Sequence, residues 1–161
     1  MNSIPRTIAA ASLAALTCTA VVPALAEVAA VYSRNVQADF DSVRFGVESA
    51  IVDRGYVIDY HARVGEMLDR TAADVGADES PYRHAETWQF CSATLSRRMM
   101  EADPANVAFC PYVVFAYEMR TDPGTVFVGF RELRAQAGED SSGALAAVDR
   151  ELAEIVDEAI E

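Results

Sequence analysis

The chain reads as an α+β fold, a mainly antiparallel sheet backed by helices on one face. Three observations carry that reading. Short runs of alternating apolar residues recur through the chain, separated by turn residues. Segments with apolar residues at helical spacing fall between some of them. The chain then closes on a long acidic helix pattern, and no internal repeat or low-complexity stretch appears.

The first residues stand apart from the fold. Arg6 and the terminal amine make a weak basic start, Ile8 to Val22 is almost unbroken apolar, and Ala24-Leu25-Ala26 offers the small-x-small site of a secretory signal peptide. The run ends at Pro23 with Glu27 close behind, short of the about 20 apolar residues of a spanning helix, so no stable membrane anchor is expected. Residues 1–26 are therefore read as a signal peptide and 27–161 as one domain, exported and periplasmic in the sense of soluble outside the cytoplasm. Cys18 falls in the apolar run, behind Leu16 and Thr17, without the small residue that lipidation would want just ahead of it.

Cleavage leaves 135 residues, enough for one domain with a real core. It leaves 12 arginines against 25 acids, a net charge of −13, and no lysine occurs anywhere in the chain. That charge argues against nucleic acid and anionic membrane surfaces as partners, since both need positive charge.

Val28 to Val36, rich in valine and alanine, predicts a first strand. Asp39 then reads as an N-cap, Phe40, Val43, Val47, Ala50 and Ile51 follow at helical spacing, and Gly55 stops the helix. Tyr56, Ile58 and Tyr60 alternate with Val57, Asp59 and His61, a half-buried strand that puts His61 and Asp59 on one face. After Gly65, the residues Met67, Leu68, Thr71, Ala72 and Val75 suggest a second short helix closed by Gly76, and Ala77 to Tyr82 is a polar loop.

His84 to Cys91 is the next strand, with Trp88 and Phe90 on one face and Thr87, Gln89 and Cys91 on the other. Ser92 to Ala102 predicts a helix with Leu95, Met99 and Ala102 inward, ended by Asp103-Pro104. Tyr112 to Glu118 is nearly all apolar on both faces, which predicts a central strand covered twice. Asp122-Pro123-Gly124 reads as a turn, and Val126 to Phe130 as its hairpin partner. Gln136 to Gly143 is a polar linker. Leu145, Val148, Leu152, Ile155 and Ala159 then line the inner face of the closing helix, whose solvated side carries Asp149, Glu151, Glu154, Asp157 and Glu158.

Chemistry concentrates at Phe90-Cys91-Ser92 and Phe109-Cys110-Pro111. If the strands ending at Cys91 and starting near Cys110 are antiparallel neighbours, both cysteines lie at one edge of the sheet. Three readings stay open. The pair forms a structural disulfide, the default outside the cytoplasm. Or both are buried, inert thiols. Or they are functional, with Cys91 just ahead of a helix N-terminus that would lower its pKa and favour redox or sulfur chemistry, making it the candidate catalytic residue.

A metal or haem site is a further candidate, with His61, Cys91 and Cys110 as ligands beside His84 and the Met99-Met100 pair. The odd spacing of His84 and Cys91 on one strand turns them to opposite faces and weakens that set. No Ser-His-Asp arrangement, glycine-rich phosphate loop or His-Glu-x-x-His stands in the sequence, so no catalytic signature is legible and no cofactor is required. Aromatic residues fall on both faces of the later strands. With helices over one face, the other needs a partner subunit or an apolar ligand, and a homodimer is expected.

Residues His61-x-x-Val64-Gly65-Glu66-Met67-Leu68-x-Arg70-Thr71-Ala72-x-Asp74-Val75-Gly76 resemble a bacterial and archaeal family. Phe90-Cys91-Ser92-Ala93, Asp103-Pro104 through Phe109-Cys110-Pro111-Tyr112, and Tyr117-Glu118 continue the match. The family is domain of unknown function 302 (DUF 302). The resemblance implies a small unit of the TATA-binding-protein-like type, β-α-β4-α with extra elements, and a tendency to dimerise. It implies no activity. Family members without signal peptides also carry cysteines near these places, which weighs against a purely structural disulfide. In this chain Cys110 precedes Pro111, whereas the family's second cysteine commonly follows a proline.

Overall fold

The computed structural model describes residues 31–134 and 141–161. The leader and the start of the first predicted strand fall outside the described residues, as does most of the linker. Five strands form one sheet: β1 (Val31–Gln37), β2 (Ile58–Arg63), β3 (Tyr82–Phe90), β4 (Tyr112–Met119) and β5 (Asp122–Arg131). Their order is β1-β5-β4-β3-β2, and every neighbouring pair is antiparallel. The helices are α1 (Phe40–Asp53), α2 (Val64–Thr71), α3 (Ala93–Ala102) and α4 (Ser142–Glu158), with 3-10 turns at Ala73–Val75 and Pro104–Phe109. The strand-helix order is β-α-β4-α with α2 and α3 inserted between strands.

Local chemistry sets the boundaries. The Asp39 carboxylate accepts from the backbone N–H groups of Asp41 and Ser42 and starts α1. Ser92 accepts from the Leu95 N–H and starts α3. Gly55, in the left-handed region at φ 78°, follows the end of α1.

Helices α1 and α4 pack against one face of the sheet and against each other, and α3 packs beside α4 and sends Met99 into the same core. Phe40, Val43, Val47, Ala50 and Ile51 of α1 and Leu145, Val148, Leu152, Ile155 and Ala159 of α4 are all buried, as their spacing predicts. They close over Trp88, Phe90, Val114, Val126, Val128 and Phe130. Helix α2 behaves differently. It packs on β3 from the other face, where a Cβ at Gly65 would stand 3.0 Å from the Ala85 backbone nitrogen.

Several expectations are corrected by this packing. In α2, Met67 is exposed, as is Val75 just beyond it, and the buried residue is Gly65, because the helix approaches the sheet by its backbone. In α3 Ser96 joins Met99 in the interior and Leu95 packs against the core half-buried, as expected, while Ala102 is exposed. Strand β4 is central but not covered twice. Tyr112, Val114, Ala116 and Glu118 are buried, whereas Val113, Phe115, Tyr117 and Met119 are only half-buried. The Asp122-Pro123-Gly124 segment belongs to β5, which begins at Asp122 after a tighter turn. The ladder shifts there, and the buried Glu118 carboxylate accepts the Gly124 N–H at 2.8 Å.

Candidate functional site

Three places bring polar or reactive groups together, and the first is the cysteine edge. Strands β3 and β4 are antiparallel neighbours, so the end of one meets the start of the next. Cys91 and Cys110 are bonded there, with an S–S distance of 2.09 Å and a Cα–Cα distance of 6.3 Å. The bond closes a chain segment that contains α3 and the 3-10 turn after it. Ser96 of α3 sets its hydroxyl 3.6 Å from the Cys110 sulfur and 2.9 Å from the Tyr112 hydroxyl. Burial pushes the Tyr112 phenol up, against the Ser96 hydrogen bond. Neither sulfur is a thiolate while the bond stands, so nucleophilic chemistry at Cys91 needs a prior reduction by a dithiol. A shallow recess beside this edge lies on the outer side of α3, between Thr94, Arg97 and Arg98.

The second place is on the helix-covered face. A β-bulge between Ile58 and Tyr60 shifts the register of β2, so His61 does not pair with Asp59. It lies across from Trp88 and meets Glu86, with Nε2 2.7 Å from Oε2. The imidazole stacks on the Trp88 ring at 5.0 Å between centroids. The Trp88 indole N–H donates to Glu48 of α1 at 3.2 Å. His84 stacks on Phe40 and stands 3.9 Å from Glu118. The structure thus brings Cys91 and Cys110 together but gives His61 and His84 to carboxylates. Among the described residues no group of three or more His, Cys, Asp or Glu could hold a metal ion.

The third place is the face that α1, α3 and α4 leave open, a face on which the sequence reading expected a cover. Tyr117 stacks on Phe127 at 4.9 Å and on Phe115 at 6.0 Å, and Tyr82 meets Tyr117 edge-on at 5.5 Å. Gly129 makes room for this row, since a Cβ there would stand 2.7 Å from the Phe115 ring. Desolvation raises the Tyr117 pKa, with the nearby Tyr82 adding to it. The register fixes which side chains share this face. In β1, β3, β4 and β5, the positions aligned with Phe115, Tyr117, Phe127 and Gly129 are Ser33, Asn35, Ala85 and Thr87. No acid stands among them, in a chain with 25.

Sequence reading missed one further polar residue. Asp149, placed on the solvated side of α4, is buried. It accepts from the backbone N–H groups of Leu133 and Arg134 at 2.8 and 3.1 Å, pinning the chain that leaves β5. Burial raises its pKa against those two hydrogen bonds. Spacing carried the signal, since Asp149 lies four residues after Leu145 and three before Leu152 on the inner stripe, but its charge placed it with the solvated acids.

Among the described residues, no helix is long and apolar enough to cross a membrane. No curated protein matches the chain. Its fold is similar to the crystal structure of an uncharacterized conserved DUF302 protein from Bacillus stearothermophilus, with a TM-score of 0.66 at 16% identity. That match covers 80% of this chain and 97% of the other. At that identity it speaks for the fold. The family described as domain of unknown function DUF302 matches residues 32–160, nearly the whole of the described sheet and helices, and the chain belongs to it.

Proposed function

We propose that this chain is an exported binding or accessory module whose recognition surface is the open aromatic face of the sheet, and that it pairs with a second copy across that face. The observation that carries this is the acid-free aromatic row of Phe115, Tyr117 and Phe127 on a strongly acidic chain. Two copies that met through their acidic helices would repel each other. Two that met through this face would bring no carboxylate of the aligned central rows against another. Aromatic side chains also supply much of the energy of buried interfaces. The cysteine edge lies at the other end of β3 and β4 from Tyr82, and in this reading the disulfide braces α3.

Sedimentation velocity of the purified protein tests the pairing. The wild type should be dimeric at micromolar concentration, and Phe127→Asp, which sets a charge in the row, should be monomeric with an unchanged far-UV spectrum. A monomeric wild type at about 100 μM would end this part of the proposal.

A second reading keeps Cys91 as a redox or sulfur-handling group. It is favoured by the position of Cys91, one residue ahead of the Ser92 cap of α3, and by the Ser96 hydroxyl beside Cys110. Equilibration with dithiol buffers decides it. A bond as hard to reduce as an ordinary structural disulfide, below about −300 mV, leaves it a brace.

A further inference from the structure

Helix α2 turns one end of the open face into a cleft of about 240 Å³. Val64 forms one wall, Ala85 and Thr87 the floor, and Phe115, Tyr117 and Tyr82 the opposite side. The wall exists because Gly65 lets the helix backbone come down onto Ala85.

The lining limits what could bind. Glu86 is its only acid, and the Glu86 carboxylate is turned to the other face, 2.7 Å from His61. No arginine lines it. Among the described residues, the hydroxyls of Tyr82, Thr87 and Tyr117 have no hydrogen-bond partner. A small cleft with flat aromatic walls, little charge and three free hydroxyls is complementary to one kind of molecule. Its volume is below the ~300–1,000 Å³ of sites that take drug-sized ligands.

We infer that the cleft between α2 and the β3–β4 face is a site for an uncharged aromatic molecule of one or two rings bearing a hydrogen-bonding group. The ring would stack against Tyr117 and Phe115, its polar atom meeting the Thr87 or Tyr82 hydroxyl. A charged ligand would lose its hydration and find no counter-charge. This rests on the same open face as the proposed pairing but not on the pairing itself.

The test is an amide chemical-shift titration with indole, and with benzoate as a charged control of similar size. It is run on the wild type and on Phe127→Asp. Indole should give saturable shifts at Thr87, Phe115 and Tyr117, and benzoate should bind at least tenfold more weakly. Thr87→Phe, which fills the floor, should weaken indole binding at least tenfold. Tyr117→Leu, which removes the stacking ring, should also weaken it and serves if the first variant does not fold. No saturable shift in either protein up to the solubility of indole would overturn the site, as would undiminished binding in a folded Thr87→Phe or equal binding of benzoate. A dimeric wild type with no indole binding in either protein refutes the cleft alone, and a monomeric wild type that binds indole refutes the pairing alone.

Discussion

Replacing Cys91 and Cys110 together by serine should cost the protein most of what the disulfide contributes through the unfolded chain. The bonded residues are 19 apart. In the chain-entropy treatment a loop of that size removes about 11 cal/mol/K from the unfolded state, or about 3.2 kcal/mol at 25 °C. For a chain of this length that corresponds to a fall in Tm of about 10–15 °C. The contacts that remain are not affected: Asn106 donates to the Met99 carbonyl at 2.8 Å and to Ser141 at 3.0 Å, and Ser92 still caps α3. The variant should therefore fold, with α3 in place but less protected. Urea unfolding followed by fluorescence is well suited to the measurement, because the chain has one tryptophan and Trp88 is fully buried. A loss of less than about 1 kcal/mol, far below the loop estimate, would refute the bracing argument and return the pair to the functional reading.

Two more substitutions test the packing. Gly129→Ala puts a methyl against the Phe115 ring and the Tyr32 carbonyl, so it should cost about 1–3 kcal/mol by overpacking and displace the aromatic row, visible as shifted ring protons of Phe115 and Phe127. Asp149→Asn keeps one acceptor and orphans the Arg134 N–H, which should cost about 1–2 kcal/mol at neutral pH. The sign of its pH dependence is set by burial. The folded pKa lies above the unfolded value, so the contribution of the Asp149 proton to stability is full below the unfolded pKa and lost as pH rises through the folded one. The stability difference between wild type and Asp149→Asn should grow as pH falls from neutral to below ~3.9. A difference that shrinks on acidification would show that the ionised form is the one the fold prefers.

Much of the fold was legible because burial in this chain follows simple periods. Helix α1 announces itself through the Asp39 cap and a stripe from Phe40 to Ile51, and α4 through Leu145 to Ala159; each stripe is buried as read. The neighbouring of β3 and β4, and with it the meeting of Cys91 and Cys110, followed from chain order and is present. Three of the misses share a cause, since they depend on backbone detail that side-chain pattern does not carry. The bulge in β2 reassigns His61 from Asp59 to Glu86. Gly65 makes α2 pack by its backbone, so of the residues that suggested the helix Ala72 is buried while Met67 is exposed. Gly124 at φ 88° lets Asp-Pro-Gly enter β5 as an irregular start, with Glu118 supplying the acceptor.

Strand β4 marks the point where composition misleads about cover and charge corrects it. A strand apolar on both sides predicts two covered faces, yet one face here is sheltered by its own neighbours: Phe115, Tyr117 and Phe127 stack along the sheet and half-bury one another. Such a row could in principle be an ordinary solvated surface, since apolar atoms make up much of any protein's exterior. The distribution of acids argues otherwise. Helix α4 carries Glu151, Glu154, Asp157 and Glu158 along its outer side, where Arg34, Arg54 and two tyrosine hydroxyls meet some of them, whereas the central rows of the open face hold serine, asparagine, threonine, alanine, glycine and aromatics. Water would tolerate a glutamate at Asn35 or Thr87 at almost no cost, while a face that docks against a neutral ring or a second copy would not. That partition is written in the sequence, but only the register of β1 with β5 and of β3 with β4 shows which residues belong to one face.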